Sequence, residues 1–143
     1  MKGFVDDIDD LTKANTDFRR VLYTGKHLQL VLMTLKSGEE IGEEVHAGHD
    51  QFFRIEKGKG EVWIDGERTK VRSDDAILVP AGAKHNVINT GDKPMKLYTL
   101  YGPPEHRDGV VRASKAKADA VPEHFDGDTT ERASASRAKP KAG

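Results

Sequence analysis

From Asp17 to Tyr101 the chain alternates short runs of β-branched, aromatic and aliphatic residues with clusters of Gly, Asp, Ser and Thr, and it nowhere sustains a 3.6-residue period. Brief apolar runs bounded by turn residues mark strands rather than helices. The pattern predicts strands over residues 18–24, 28–36, 51–57, 60–64, 69–72, 76–79, 85–89 and 95–101. The breaks between them fall where Gly and Asx residues relieve turn geometry, as at Thr24-Gly25-Lys26 and Thr90-Gly91-Asp92. Asp65-Gly66 is the strongest hairpin signal, because an Asp-Gly pair favours a tight primed turn. Strands so short and so frequent imply an all-β sandwich or small barrel.

The ends differ from this middle. Residues 1–16 are polar and acidic and predict an N-terminal arm with one loose helical turn or an edge strand; residues 17–104 form the barrel. Residues 105–128 are a C-terminal extension in which 113–120 suits a short helix, and 129–143, rich in Ala, Ser, Lys and Arg, predict a disordered tail. The last twelve residues hold four basic groups and no acid, leaving 19 basic against 24 acidic groups, or −5, on residues 1–131. The basic stretch reads as a solubilising tail or a weak anion-binding arm.

Composition then narrows the chemistry. With 23 Lys plus Arg against 24 Asp plus Glu, the chain has no overall charge bias toward nucleic acid or anionic lipid. It has no cysteine, which removes disulfides, thiolate nucleophiles and thiolate metal sites, so any metal must be held by nitrogen and oxygen. The start of the chain runs into Asp6, Asp7, Asp9 and Asp10 where a secretory peptide is apolar, and the apolar run 28–35 is too short for a membrane span. These features predict a cytoplasmic protein that engages neither membrane nor nucleic acid.

Chemistry concentrates in two segments. In Gly42-Glu43-Glu44-Val45-His46 the side chains of an extended chain alternate, so Glu44 and His46 share a face. Farther on, Gln51, Phe53 and Ile55 share one face, with Phe52, Arg54 and Glu56 on the other; this turns Arg54 outward toward a surface pair with Glu56 or Glu61. In the second segment Pro80 and Gly82 end an apolar run, and His85 opens the next strand on the face of Val87 and Asn89. His85 can therefore meet His46 across a barrel.

On these residues the chain resembles the cupin superfamily. Its first motif, G-x5-H-x-H-x3,4-E-x6-G, is matched in frame by Gly38, His46, Gln51 and Gly58, and its second, G-x5-P-x-G-x2-H-x3-N, by Pro80, Gly82, His85 and Asn89, with Asp74 replacing the opening Gly. The resemblance implies a double-stranded β-helix, the jelly-roll cupin barrel, with one divalent transition metal at its mouth. The family's ligand positions fall on Glu44 in place of the first His, on His46, on Gln51 in place of the usual Glu, and on His85. His49 is an alternative ligand if its loop folds back, with Asp50 beside it, and Gln51 can also serve as a hydrogen-bonding core amide.

Two imidazoles with a carboxylate suit Fe, Mn, Ni, Zn or Cu without choosing among them. Phe53, Ile55, Val87 and Asn89 are the expected pocket lining, with Trp63, Tyr98 and Tyr101 as a wall or a dimer face. His27, His106 and His124 lie outside the motifs and read as structural or exposed. The implied functions are a metal-dependent dioxygenase or sugar-isomerase-like enzyme acting on a small oxygen-bearing metabolite, a non-catalytic sugar or small-molecule module, or a barrel whose metal site has decayed. Small cupins also commonly pair, which implies a homodimer; the strand edge near residues 18–22 is what needs covering.

Overall fold

The computed structural model describes residues 1–131. Two short helices and ten strands follow in the order α1 (Ile8–Ala14), β1 (Arg19–Thr24), β2 (Gln29–Leu35), β3 (Glu44–Val45), β4 (Asp50–Lys57), β5 (Lys59–Ile64), β6 (Glu67–Arg72), β7 (Ala76–Val79), β8 (Lys84–Ile88), β9 (Met95–Gly102), β10 (Val111–Arg112) and α2 (Lys115–Ala120). The strands pair antiparallel into a six-stranded sheet, β10-β1-β2-β9-β4-β7, and a four-stranded sheet, β3-β8-β5-β6. This is the cupin jelly roll, and the eight strands expected from the apolar runs are all present, their ends shifted by at most two residues. The other two, β3 and β10, are two residues long, too short for alternation to show.

The interior fills in cross-strand rows. Gln51 pairs with Val79 and with Tyr101, which pairs with Gln29; Phe53 pairs with Ile77 and with Thr99, which pairs with Val31; Ile55 pairs with Leu97, which pairs with Met33. All of these are buried, so every sheet position along β2, β4 and β9 that faces inward is shielded from water. Asp65 (φ 47°) and Gly66 (φ 86°) both take left-handed backbone, as a primed hairpin requires, and join β5 to β6. At Gly60 there is no room for a side chain: a Cβ there would lie 2.2 Å from the Ile88 carbonyl oxygen on neighbouring β8 and 2.2 Å from Met95 Cε on β9 of the other sheet.

Three segments outside the barrel correct the simpler expectation. The arm holds a seven-residue helix rather than a loose turn: Asp7 caps α1 by accepting from the Asp10 N–H at 3.0 Å, with Asp9 and Asp10 in its first turn and Lys13 in its last. Charges so placed favour the helix dipole. The edge of β1 is covered by the chain's own β10, which pairs with Arg19 and Arg20. After β9 the chain passes through β10 and α2 and turns back along the barrel: the Phe125 N–H bonds the Glu105 carbonyl at 2.9 Å and the Thr130 N–H, in the stretch expected to be tail, bonds the Thr24 carbonyl at 2.9 Å. Glu131 accepts from the backbone of Lys2 and Gly3 and from the Tyr23 hydroxyl. The rest of the predicted tail lies outside the described residues. No helix among the described residues is long and apolar enough to cross a membrane.

Candidate metal centre

Strand β3 puts the first expected ligand against the last. It pairs antiparallel with β8 so that Glu44 faces His85 directly, while the intervening Val45 points away and is half-exposed. His46 follows two residues after Glu44, on the same side. The result is a cluster in which one ligand atom each from Glu44, His46 and His85 lies within 4.8 Å of the others. Glu44 Oε1 is 3.3 Å from His46 Nε2 and 4.0 Å from His85 Nε2. Two donors each about 2.1 Å from a shared ion are roughly 3.0–3.4 Å apart, so a small contraction brings these three onto one cation.

The hydrogen-bond pattern fits that cation. His85 Nδ1 lies 3.2 Å from the Ala83 carbonyl oxygen, which can only accept, so Nδ1 carries the hydrogen and Nε2 presents its lone pair. That lone pair meets another acceptor, Gln51 Oε1, at 3.1 Å, because the Gln51 amide nitrogen donates to Thr99 Oγ1 at 3.0 Å. Acceptors converge from Glu44, Gln51 and the His85 lone pair, with only the His46 Nε2–H that donates to Glu44 placing a proton among them. The donor set thus suits a divalent metal, with Gln51 as a neutral oxygen beside the three.

Electrostatics point the same way. Burial opposes ionisation of Glu44, but its hydrogen bond to His46 and the nearby charges of His46, Arg19 and His85 outweigh it and hold the carboxyl below the usual range. The same hydrogen bond raises His46 above an ordinary imidazole. A carboxylate kept ionised in a partly buried place is a ready metal ligand.

The loop gives His49 partners outside the Glu44–His46–His85 cluster. His49 turns away from the cluster: its Nδ1 is 2.6 Å from the Pro103 carbonyl oxygen and its Nε2 is 3.0 Å from Glu105 Oε1. Asp50 caps the second motif's turn, accepting from the Ala81 N–H at 2.9 Å. Of the expected pocket residues, Phe53 stands beside His85 with ring centroids 6.2 Å apart. Ile55 and Val87 are fully buried in the core, and Asn89 fixes the turn after β8, donating to the Leu35 and Lys93 carbonyls and accepting from the Gly91 N–H. Arg54 does turn outward, to Asp74 at 3.1 Å and Glu56 at 3.8 Å. Trp63 stacks under Arg68, 4.2 Å from its ring centroid to the guanidinium carbon.

Two residues beside the site were not visible in the motifs. Glu105 reaches His46 Nδ1 at 3.7 Å as well as His49, and His106, expected to be structural or exposed, is buried against the site's flank. His106 Nδ1 is 2.7 Å from Glu123 and its Nε2 is 3.3 Å from the Tyr101 hydroxyl, whose ring stands edge-on to His46. Burial lowers the pKa of His106 and raises that of Tyr101. Glu123 stays below the usual carboxylate range because His106, Arg19 and Arg112 outweigh its burial. Both residues stand on a segment held by Gln29, whose Oε1 accepts from the N–H groups of Glu105 and His106 while its Nε2 donates to the His106 carbonyl. The available signal was register: Gln51 pairs with Tyr101, so the residues just after Tyr101 must leave β9 at the ligand end.

The cupin domain pattern matches residues 31–101. Over 126 residues the chain is 49% identical to the uncharacterised protein YrkC of Bacillus subtilis, a match covering 84% of this chain and 68% of that one. It is 37% identical over 113 residues to the uncharacterised protein L612 of Acanthamoeba polyphaga mimivirus, covering 76% and 70% respectively. The crystal structure of BH2720 from Bacillus halodurans superposes with a TM-score of 0.83 at 48% identity, over 84% of this chain and 96% of that one. Motif spacing, jelly-roll topology and these similarities agree, and the chain belongs to the cupin domain family.

Proposed function

We propose that this chain is a metal-dependent cupin that binds one divalent transition metal through Glu44, His46 and His85, with Gln51 as a fourth oxygen, and acts on a small oxygen-bearing metabolite. The observation that carries the reading is the convergence of those three ligand atoms within 4.8 Å from two separate motifs. A bound ion would supply a Lewis acid able to polarise a substrate oxygen. The chain's own residues supply proton handling. His49 donates from Nδ1 to the Pro103 carbonyl, and its Nε2 stands 3.0 Å from Glu105 Oε1, next to His46. A fixed proton donor–acceptor pair beside the ligands favours isomerase-type proton transfer over oxygen chemistry. Gln51, a weaker donor than the carboxylate it replaces, favours a second reading as a ligand-binding module with modest metal affinity.

Metal analysis of the full chain after titration with Fe, Mn, Ni, Zn and Cu tests the proposal. Stoichiometric uptake is expected, and it is lost in the His46→Ala/His85→Ala double variant; uptake by that variant equal to wild type would refute the ligand set. Solvent deuterium incorporation into a panel of hydroxy ketones then separates an isomerase from a module, while oxygen consumption would select the dioxygenase instead. A homodimer is the assembly we propose, tested by the elution volume of the full chain.

A further inference from the structure

We propose that Glu105 is a positioning residue for the ligand His46, accepting the hydrogen of its Nδ1 so that Nε2 stays turned into the cluster. The inference rests on the metal-centre reading. A neutral imidazole that binds an ion through Nε2 keeps its one hydrogen on Nδ1. The His46 side chain is only 10% exposed, so that hydrogen needs a partner. The carboxylate facing Nδ1 is that of Glu105, with Oε1 at 3.7 Å, while Nε2 faces Glu44 Oε1 at 3.3 Å on the cluster side. The ring therefore stands between two carboxylates, one within the cluster and one behind it. His85 is held differently, its Nδ1 backed by the neutral Ala83 carbonyl at 3.2 Å.

The backbone of Glu105 is fixed from both sides. Its N–H donates to Gln29 Oε1 at 3.1 Å, and its carbonyl accepts from the Phe125 N–H at 2.9 Å. The carboxylate itself is 17% exposed and lies against two further imidazoles, with His49 Nε2 3.0 Å from Oε1 and His124 Nδ1 3.9 Å from Oε2. Its separation from His46 is longer than a hydrogen bond, and contacts of this kind tighten when a site is loaded. A carboxylate behind a ligating imidazole fixes the ring's tautomer and orientation and raises its basicity, and losing such a partner costs about 10–100-fold in metal affinity. Charge adds to the argument. Glu44 brings one negative charge to a divalent ion and Gln51 brings none, so Glu105 supplies a second from behind His46.

The test is competition for zinc between the full chain and a chromophoric chelator, in wild type, Glu105→Gln and Glu105→Asp, joined to NMR spectra of the histidine ring nitrogens in the zinc-loaded protein. Both anchors of residue 105 are backbone bonds, which these changes leave in place. Glu105→Gln should bind zinc about 10–100-fold more weakly, and Glu105→Asp, which keeps the charge on a shorter stem, should fall between it and wild type. In wild type His46 should carry zinc on Nε2 and a slowly exchanging hydrogen on Nδ1, and that hydrogen should exchange faster in Glu105→Gln. Should the variants not fold, wild type decides alone: zinc on His46 Nδ1, or an Nδ1 hydrogen in free exchange with water, would overturn the assignment. Equal zinc affinity in Glu105→Gln and wild type would overturn it while leaving the metal centre standing. No zinc uptake by wild type would sink the metal-centre reading and the assignment with it.

Discussion

The two ends of the barrel are built from the same strands and are equally shielded from water, yet their interiors differ in kind. At one end β2, β4, β8 and β9 contribute Gln29, Gln51, His85 and Tyr101, with Thr99 just behind; at the other the same strands contribute Leu35, Ile55, Val87 and Leu97. Alternation along a strand decides only which side chains face in. What fills the interior can change from apolar to polar within six residues of one strand. The apolar end gains stability from transfer and packing, whereas the polar end stays folded only because each buried group finds a partner.

Removing bulk from the apolar end should have the largest effect on stability. Leu97→Ala, at a position 0% exposed between Met33 and Ile55, should cost about 3 kcal/mol by urea denaturation, as large-to-small core changes do. A loss under about 1 kcal/mol would show that this end is loosely packed. Next is the polar clasp: Gln29→Ala strands two N–H groups and a carbonyl of residues 105–106, and about 2 kcal/mol of destabilisation is expected. Its distinguishing readout is faster amide exchange at Glu105 and His106 than at core positions of β2.

Acidification should loosen the same segment. His106 and Glu123 are both held below their ordinary values, so the detached segment binds more protons than the docked one. The stabilisation is complete above the usual histidine value of 6.5 and falls as pH drops through that region and then through the carboxylate range below 4.5. Exchange of the Phe125 amide, bonded to the Glu105 carbonyl, should accelerate from pH 7 to about pH 4; constant protection over that window would contradict the assignment. The smallest stability effect is expected from Gln51→Leu, which makes the polar end resemble the apolar one. Stability should move by no more than about 1 kcal/mol while metal affinity falls about tenfold, the trade-off expected where a site carries function.

Much of this was legible in the primary structure because it depends on local pattern. The strand runs, the Asp65-Gly66 turn and the shared face of Glu44 and His46 follow from period and turn chemistry alone. The pairing of Glu44 with His85 needed the family's topology, since 41 residues separate them and no local rule links distant strands. Helix α1 was hidden because an acidic run reads as a solvated surface; Asp7, the two acids after it and Lys13 form a capped helix only once the apolar face of the sheet is there to receive it. Glu105 and His106 were hidden for a different reason. Their roles come from where the chain leaves and flanks the barrel, and one-dimensional spacing does not encode which loop returns over which opening.

The region matched by the domain pattern runs from 31 to 101, and Glu105, His106 and Glu123 all fall outside it. The matched region holds the proposed ligands Glu44, His46 and His85, while the flanking segment, clamped to it by Gln29, brings Glu105 and His106 to their side. Chimeras that exchange only those flanks between family members should therefore retune the site and leave its ligands in place, which makes the borders of this barrel, rather than its heart, the natural ground for diversification.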